Sequence, residues 1–187
     1  MAHGGDVIEE LKTDHREVER LFGKIEELPF GDPQRKEYAD LVTIELVRHS
    51  VAEEEYLYPT VRRYVDDGDT LADRELEEHA AAERTMKDLE RCAADDPDFE
   101  RLIAQLMAEI RHHVREEESD LFPRLADSCS VELLNDLGEK VRRAKKTAPT
   151  RPHPGAPTKP PANKILAPGL GLVDRMRDAL TGRGKGT

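Results

Sequence analysis

The chain has 187 residues, with 40 acidic against 29 basic side chains, a formal net charge of −11 and no tryptophan. That length holds one globular domain and an appendage, and 37% hydrophobic residues supply a modest core, which excludes wholesale disorder. No 18-residue apolar run and no signal-peptide core follow Met1, and Cys92 and Cys129 form no C-x-x-C pair, so the expectation is a cytoplasmic protein with no transmembrane segment.

The charge is divided. Residues 1–139 hold 38 acids and 17 basic groups, net −21, whereas 140–187 hold 2 and 12, net +10. The acidic body lacks the charge to neutralise phosphates, so no nucleic acid is expected on it, while the basic tail could contact an anionic partner. Breakers at Pro29–Pro33, Asp66–Asp69 and Asp95–Asp98 leave helical segments near 6–28, 34–65, 70–94 and 98–126, then a shorter fifth from Val131 to Lys145. Pro59 and Pro123 should kink or end the second and fourth. Strand signals are nearly absent. Short connections predict an all-α, up-down-up-down antiparallel four-helix bundle over residues 1–146. The proline-rich basic tail, 147–187, reads as mostly disordered, with a short helix allowed at 165–180.

Histidines reveal a repeat. His15 to His49 is 34 residues, and so is His79 to His113; the shift between the two pairs is 64. Asp14-His15 matches Glu78-His79, and His49, Glu53, Glu54, Leu57 and Pro59 match His113, Glu117, Glu118, Leu121 and Pro123. The bundle is thus two copies of one helical hairpin. At 1.5 Å per residue, the climb from His15 to the first turn and the return to His49 both cover roughly 20 Å, which puts all four imidazoles in one layer.

Apolar seams set their direction. Ile8, Leu11, His15, Val18, Phe22 and Ile25 follow 3,4 spacing, so His15 stands where a core residue would; His49 and Glu53, His79, and His113 and Glu117 lie on the other seams. A lone core histidine is more often a packing residue than a ligand. Here, however, all four have Glu four residues later, a coincidence of about 2 in 10,000 on composition, and buried carboxylates beside four imidazoles need a compensating cation. The donors are too many for one tetrahedral zinc. Imidazole mixed with carboxylate in a bundle suits two ions bridged by carboxylates, with iron favoured over manganese.

At these residues the chain resembles the hemerythrin-like, or HHE cation-binding, family, in its actinobacterial-type branch. The marks are Asp14-His15, the Arg48-to-Glu55 run ending in Leu57-Tyr58-Pro59, Glu78-His79, and His113 to Glu117 ending in Leu121-Phe122-Pro123, over residues 6–126. The resemblance implies a non-haem di-iron centre: one iron on His15 and His49, the other on His79, His113 and Glu83, with Glu53 and a fourth-helix carboxylate bridging. Glu118 competes for that last place, and the seam favours Glu117. Oxygen-carrying members have histidine where this chain has Glu83, and hard carboxylate oxygens stabilise ferric iron. The resemblance therefore implies reaction with hydrogen peroxide, oxygen or nitric oxide, catalase-like peroxide decomposition first. The alternative is sensing, storage or binding without turnover.

Tyr56 falls on the ligand face seven residues after His49, so it is the candidate catalytic tyrosine, as hydrogen-bond donor, radical site or extra ligand; a packing tyrosine is the plainer alternative. Tyr58 falls two positions round and is read as peripheral.

Overall fold

The computed structural model describes residues 5–158 and 162–184. Four main helical rods carry the fold. Helix α1 is Val7–Glu27. Helix α2, Pro33–Ala52, runs through a π-helical turn, Glu53–Leu57, into α3, Tyr58–Tyr64. Helix α4 is Gly68–Leu89. Helix α5, Pro97–Glu116, likewise passes through a π turn, Glu117–Leu121, into α6, Phe122–Ser128. Then come α7, Val131–Thr147, and α8, Ala162–Thr181. No strand occurs among the described residues. None of these helices is long and apolar enough to cross a membrane.

Local chemistry explains the boundaries. Asp6, Asp32 and Asp96 cap α1, α2 and α5 by accepting N–H bonds from Glu9, Gln34 and Asp98. In the latter two a proline follows the cap, at the helix start where its missing N–H costs nothing. Asp32-Pro33 and Asp96-Pro97 are themselves 64 residues apart, so the repeat includes its start signals. At the α3–α4 corner Asp67 takes a left-handed φ of 57°, and a Cβ on Gly68 would lie 2.2 Å from the Val61 carbonyl oxygen, so only glycine fits. Helix α4 ends five residues before the expected 94, because Glu90–Asp96 folds into turns.

Helices α1 and α2 pack as one hairpin and α4 and α5 as the other, with α7 laid across α1 and α2. Two apolar cores fill the bundle. One contains Leu11, Leu57, Val61, Phe122 and Leu125; the other contains Val18, Phe22, Leu46, Met86 and Ile110. The histidine layer lies between them.

The tail differs from the expectation of disorder. Its described residues fold back on the bundle, and α8 exceeds the 165–180 segment. Asp174 Oδ2 accepts the backbone N–H groups of Thr150 and Arg151 at 3.2 and 3.1 Å, and Asp178 Oδ1 accepts Arg151 Nε at 2.9 Å. Arg183 Nε reaches Asp40 of α2 at 3.1 Å. A Cβ at Gly171 would sit 2.2 Å from the Thr147 carbonyl oxygen, so α8 crosses the end of α7 at contact distance. Composition counted Asp174 and Asp178 as two acids among twelve basic groups; their burial makes them the tail's anchors.

Candidate metal centre

Each hairpin presents one pair of imidazoles. The His15 and His49 rings are 5.0 Å apart, and those of His79 and His113 are 4.8 Å apart. All four are buried. The i,i+4 spacing of a helix sends Glu53 and Glu117 to the same level, both wholly buried. Glu53 spans the two pairs, with Oε1 3.1 Å from His49 Nε2 and Oε2 3.3 Å from His79 Nε2. Glu117 spans the other diagonal, its Oε2 3.3 Å from His15 Nε2 and 3.6 Å from His113 Nε2.

The outer nitrogens are held with the same regularity. His15 Nδ1 meets Glu118 at 2.8 Å, His49 Nδ1 meets Asp14 at 3.1 Å, His79 Nδ1 meets Glu54 at 3.2 Å, and His113 Nδ1 meets Glu78 at 3.0 Å. A carboxylate on Nδ1 fixes the ring and makes Nε2 the free ligand nitrogen. Glu118 is thereby an outer partner, and Glu117 the inner carboxylate.

Whether a cation fits is decided by atoms left without partners. His15 Nε2, Glu53 Oε1, Glu117 Oε2 and Glu75 Oε2 are buried and make no hydrogen bond. An unsatisfied buried polar atom is costly, and these four, divided between neighbouring donor groups joined by Glu117, call for cationic partners. His15, His49, Glu53 and Glu117 offer donor atoms all within 4.8 Å of one another, as do Glu53, His79 and His113, and also Glu75, His113 and Glu117. The donor set fits metal ions.

Electrostatics agree. Burial opposes charge on the imidazoles, yet Glu53 and Asp14 overcome it and push His49 up to about 10. His15, His79 and His113 are raised in the same way by their carboxylates. Burial opposes ionisation of Glu53 too, and the facing His49 and His79 still hold it well below its ordinary value. The cluster demands positive charge, which protons or cations can supply.

The hemerythrin HHE cation-binding domain model matches residues 6–125. The chain belongs to that family. An uncharacterized hemerythrin-like protein of Schizosaccharomyces pombe is 29% identical over 168 residues, spanning 89% of this chain and 82% of that protein. A protein of Nostoc named DNA nickase is 32% identical over 137 residues, 72% of this chain but only 38% of its own length. The crystal structure of a hemerythrin HHE cation-binding domain-containing protein from the actinobacterium Mycobacterium kansasii superposes with a TM-score of 0.66 at 25% identity, over 75% of this chain and 85% of that one.

Two expectations need correction in this hemerythrin-like chain. Glu83 does not join the cluster: four residues beyond His79 it turns towards the tail, where Oε1 accepts the N–H of His153 at 2.7 Å. Glu75, four residues before His79, is the wholly buried α4 carboxylate, with Oε2 3.0 Å from His113 Nδ1. The repeat carried its signal, since the 64-residue shift sets Glu75 on the core residue Leu11.

Tyr56 also lies elsewhere, its half-buried ring under Lys164 Nζ at 4.1 Å. The tyrosine at the centre is Tyr58. Its hydroxyl is 3.0 Å from His79 Nε2 and 3.5 Å from both Glu53 Oε2 and Glu117 Oε1. The π turn explains the exchange. The Glu53 carbonyl accepts from the N–H of Tyr58, five residues on, so the fifth residue returns to the face that the fourth would share in an α-helix. Burial and the repulsion of Glu53 and Glu117 hold the Tyr58 hydroxyl protonated, as a hydrogen-bond donor.

Proposed function

We propose that this protein holds a non-haem di-iron centre and decomposes hydrogen peroxide. The observation that carries this reading is the cavity over the histidine layer. It measures about 100 Å³, with His15, His49, His79 and His113 on its floor and Val18, Leu46, Ala82, Met86 and Ile110 among its walls. A space of that size admits a few water-sized molecules, so peroxide, oxygen or nitric oxide fits and a nucleic-acid strand does not.

His15, His49, Glu53 and Glu117 would hold one iron; His79, His113, Glu75 and the same two bridging carboxylates would hold the other. Bound irons would supply the Lewis acid and redox couple for converting two peroxides into two waters and oxygen. The chain's own part is to place and protonate. Asp14, Glu54, Glu78 and Glu118 fix the imidazoles by their Nδ1 atoms. The apolar walls keep bulk water out, which strengthens every charge interaction inside. Tyr58 keeps a proton on its hydroxyl, within reach of the cavity floor, for an oxygen that gains charge. Carboxylate donors favour ferric iron and so support turnover over reversible oxygen carriage. The free thiols of Cys92 and Cys129 suit a cytoplasmic setting.

The test is to purify the protein anaerobically, count metal per chain, and follow peroxide consumption and the visible spectrum. Two irons with rapid peroxide loss support the reading. One zinc per chain overturns the di-iron centre, and a spectrum that reverses when oxygen is removed overturns turnover in favour of carriage.

A further inference from the structure

Helix α7 lies beyond the matched segment 6–125 and beyond the hairpin repeat, yet one of its side chains reaches the edge of the centre. Lys145 Nζ donates to Asp14 Oδ1 at 2.5 Å and to Glu10 Oε1 at 2.9 Å. The lysine side chain is only 13% exposed, Asp14 4% and Glu10 1%. Asp14 Oδ2 lies 3.1 Å from His49 Nδ1, and His49 Nε2 lies 3.1 Å from Glu53. A contact chain therefore runs from α7 to the heart of the cluster: Lys145, Asp14, His49, Glu53.

The counterpart in the other half is Arg74, which donates to Glu75 Oε1 at 3.0 Å while Glu75 Oε2 lies 3.0 Å from His113 Nδ1, but the Arg74 side chain is 40% exposed and screened by solvent. Among the described residues, Asp14 alone of the four outer carboxylates has a lysine or arginine nitrogen within 4.0 Å. A carboxylate on Nδ1 draws the ring proton and makes Nε2 a stronger donor to metal. A buried ammonium on the same carboxylate takes back part of that charge, and little solvent is present to screen it.

We propose that Lys145 is a positioning residue that holds Asp14 against His49 and weakens His49 as a donor, so that the metal bound by His15 and His49 has a raised reduction potential. The proposal rests on the di-iron reading. It makes α7 part of the centre's tuning, and it makes the two irons unequal from outside the repeat.

The experiment is redox titration of the full-length iron-loaded protein, with the two irons resolved by Mössbauer spectroscopy, in wild type, Lys145→Gln, Lys145→Met and Lys145→Arg. At one fixed potential the ferric-to-ferrous ratio of a single iron should rise about tenfold in Lys145→Gln and Lys145→Met, equivalent to about 59 mV for one electron, with the other iron unmoved. Lys145→Arg should restore the wild-type ratio. In an Asp14→Asn background the Lys145 substitutions should add nothing. Lys145→Gln keeps an N–H donor for Asp14, so it decides the matter if Lys145→Met does not fold. An unmoved ratio, an equal shift at both irons, or a full effect without Asp14 overturns the proposal while leaving the di-iron reading intact. A wild-type protein without two irons overturns both.

Discussion

The two halves of the centre repeat one sequence pattern, and three of their differences stand out. Around His15 and His49 stand Leu11 and Phe122, and the outer carboxylate Asp14 carries Lys145; around His79 and His113 stand Glu75 and Tyr58. Phe122 stacks on His15 at 5.8 Å, where Tyr58 offers a hydroxyl to His79 at 3.0 Å. A repeated hairpin supplies the four imidazoles and the two buried carboxylates, Glu53 and Glu117, that lie between the pairs. One half is apolar with a buried lysine behind it, the other acidic and hydroxylated. The second half is the one equipped to handle protons.

Removing what the halves share should have the largest effect. Glu53→Gln deletes a charge that touches both pairs, so metal analysis should find one iron or none, and peroxide loss should fall by more than about 100-fold, beyond what an outer partner contributes. Making the halves alike is the next step. Tyr58→Phe copies Phe122 and should slow peroxide consumption by about 100-fold, the low end for a lost proton donor, with the iron count unchanged. Unaltered turnover would remove Tyr58 from the chemistry. Glu75→Leu copies Leu11 and should weaken iron at one position only, by roughly 10- to 100-fold in a competitive chelator titration. Equal weakening at both positions would contradict the assignment of Glu75 to one half.

The smallest change is expected in metal-free protein on varying pH. His49 binds its proton more tightly folded, at about 10, than at its ordinary 6.5. That stabilisation is fully present below about 6.5 and is lost as pH rises through 10, so the melting temperature should fall across this window. Iron displaces the same proton, so iron affinity should rise with pH over the same range. A metal-free melting temperature that climbs from 6.5 to 10 would contradict the assigned charge state.

The bundle and the histidine layer were legible because they rest on long periodic seams and a repeated 34-residue spacing, which short-range irregularity does not erase. The same seams favoured Glu117, which lies wholly buried between His15 and His113, while Glu118 meets the outer nitrogen of His15. Counting failed where the helix changes pitch: α-helical steps assign Tyr56 to the centre, and the π turn puts Tyr58 there. The direction along α4 failed for a different reason. Glu83 and Glu75 are equally spaced from His79, and only the alignment of Glu75 with a core leucine separates them. The tail was misread because burial, not number, gives Asp174 and Asp178 their influence.

The π turns also act as spacers of fixed width. Each is one residue longer than the helical turn it replaces, and each separates a buried glutamate from the residue that returns beside it, Tyr58 after Glu53 and Phe122 after Glu117. Excising Tyr56 would place the Tyr58 ring four residues after Glu53, on the same face of an ordinary α-helix, so the deletion alone would not turn the hydroxyl away. What the deletion would disturb is Pro59, whose ring meets the carbonyl four residues before it once the wider turn is gone. In this fold the extra residue of each π turn therefore lets a proline sit inside a continuous helical rod.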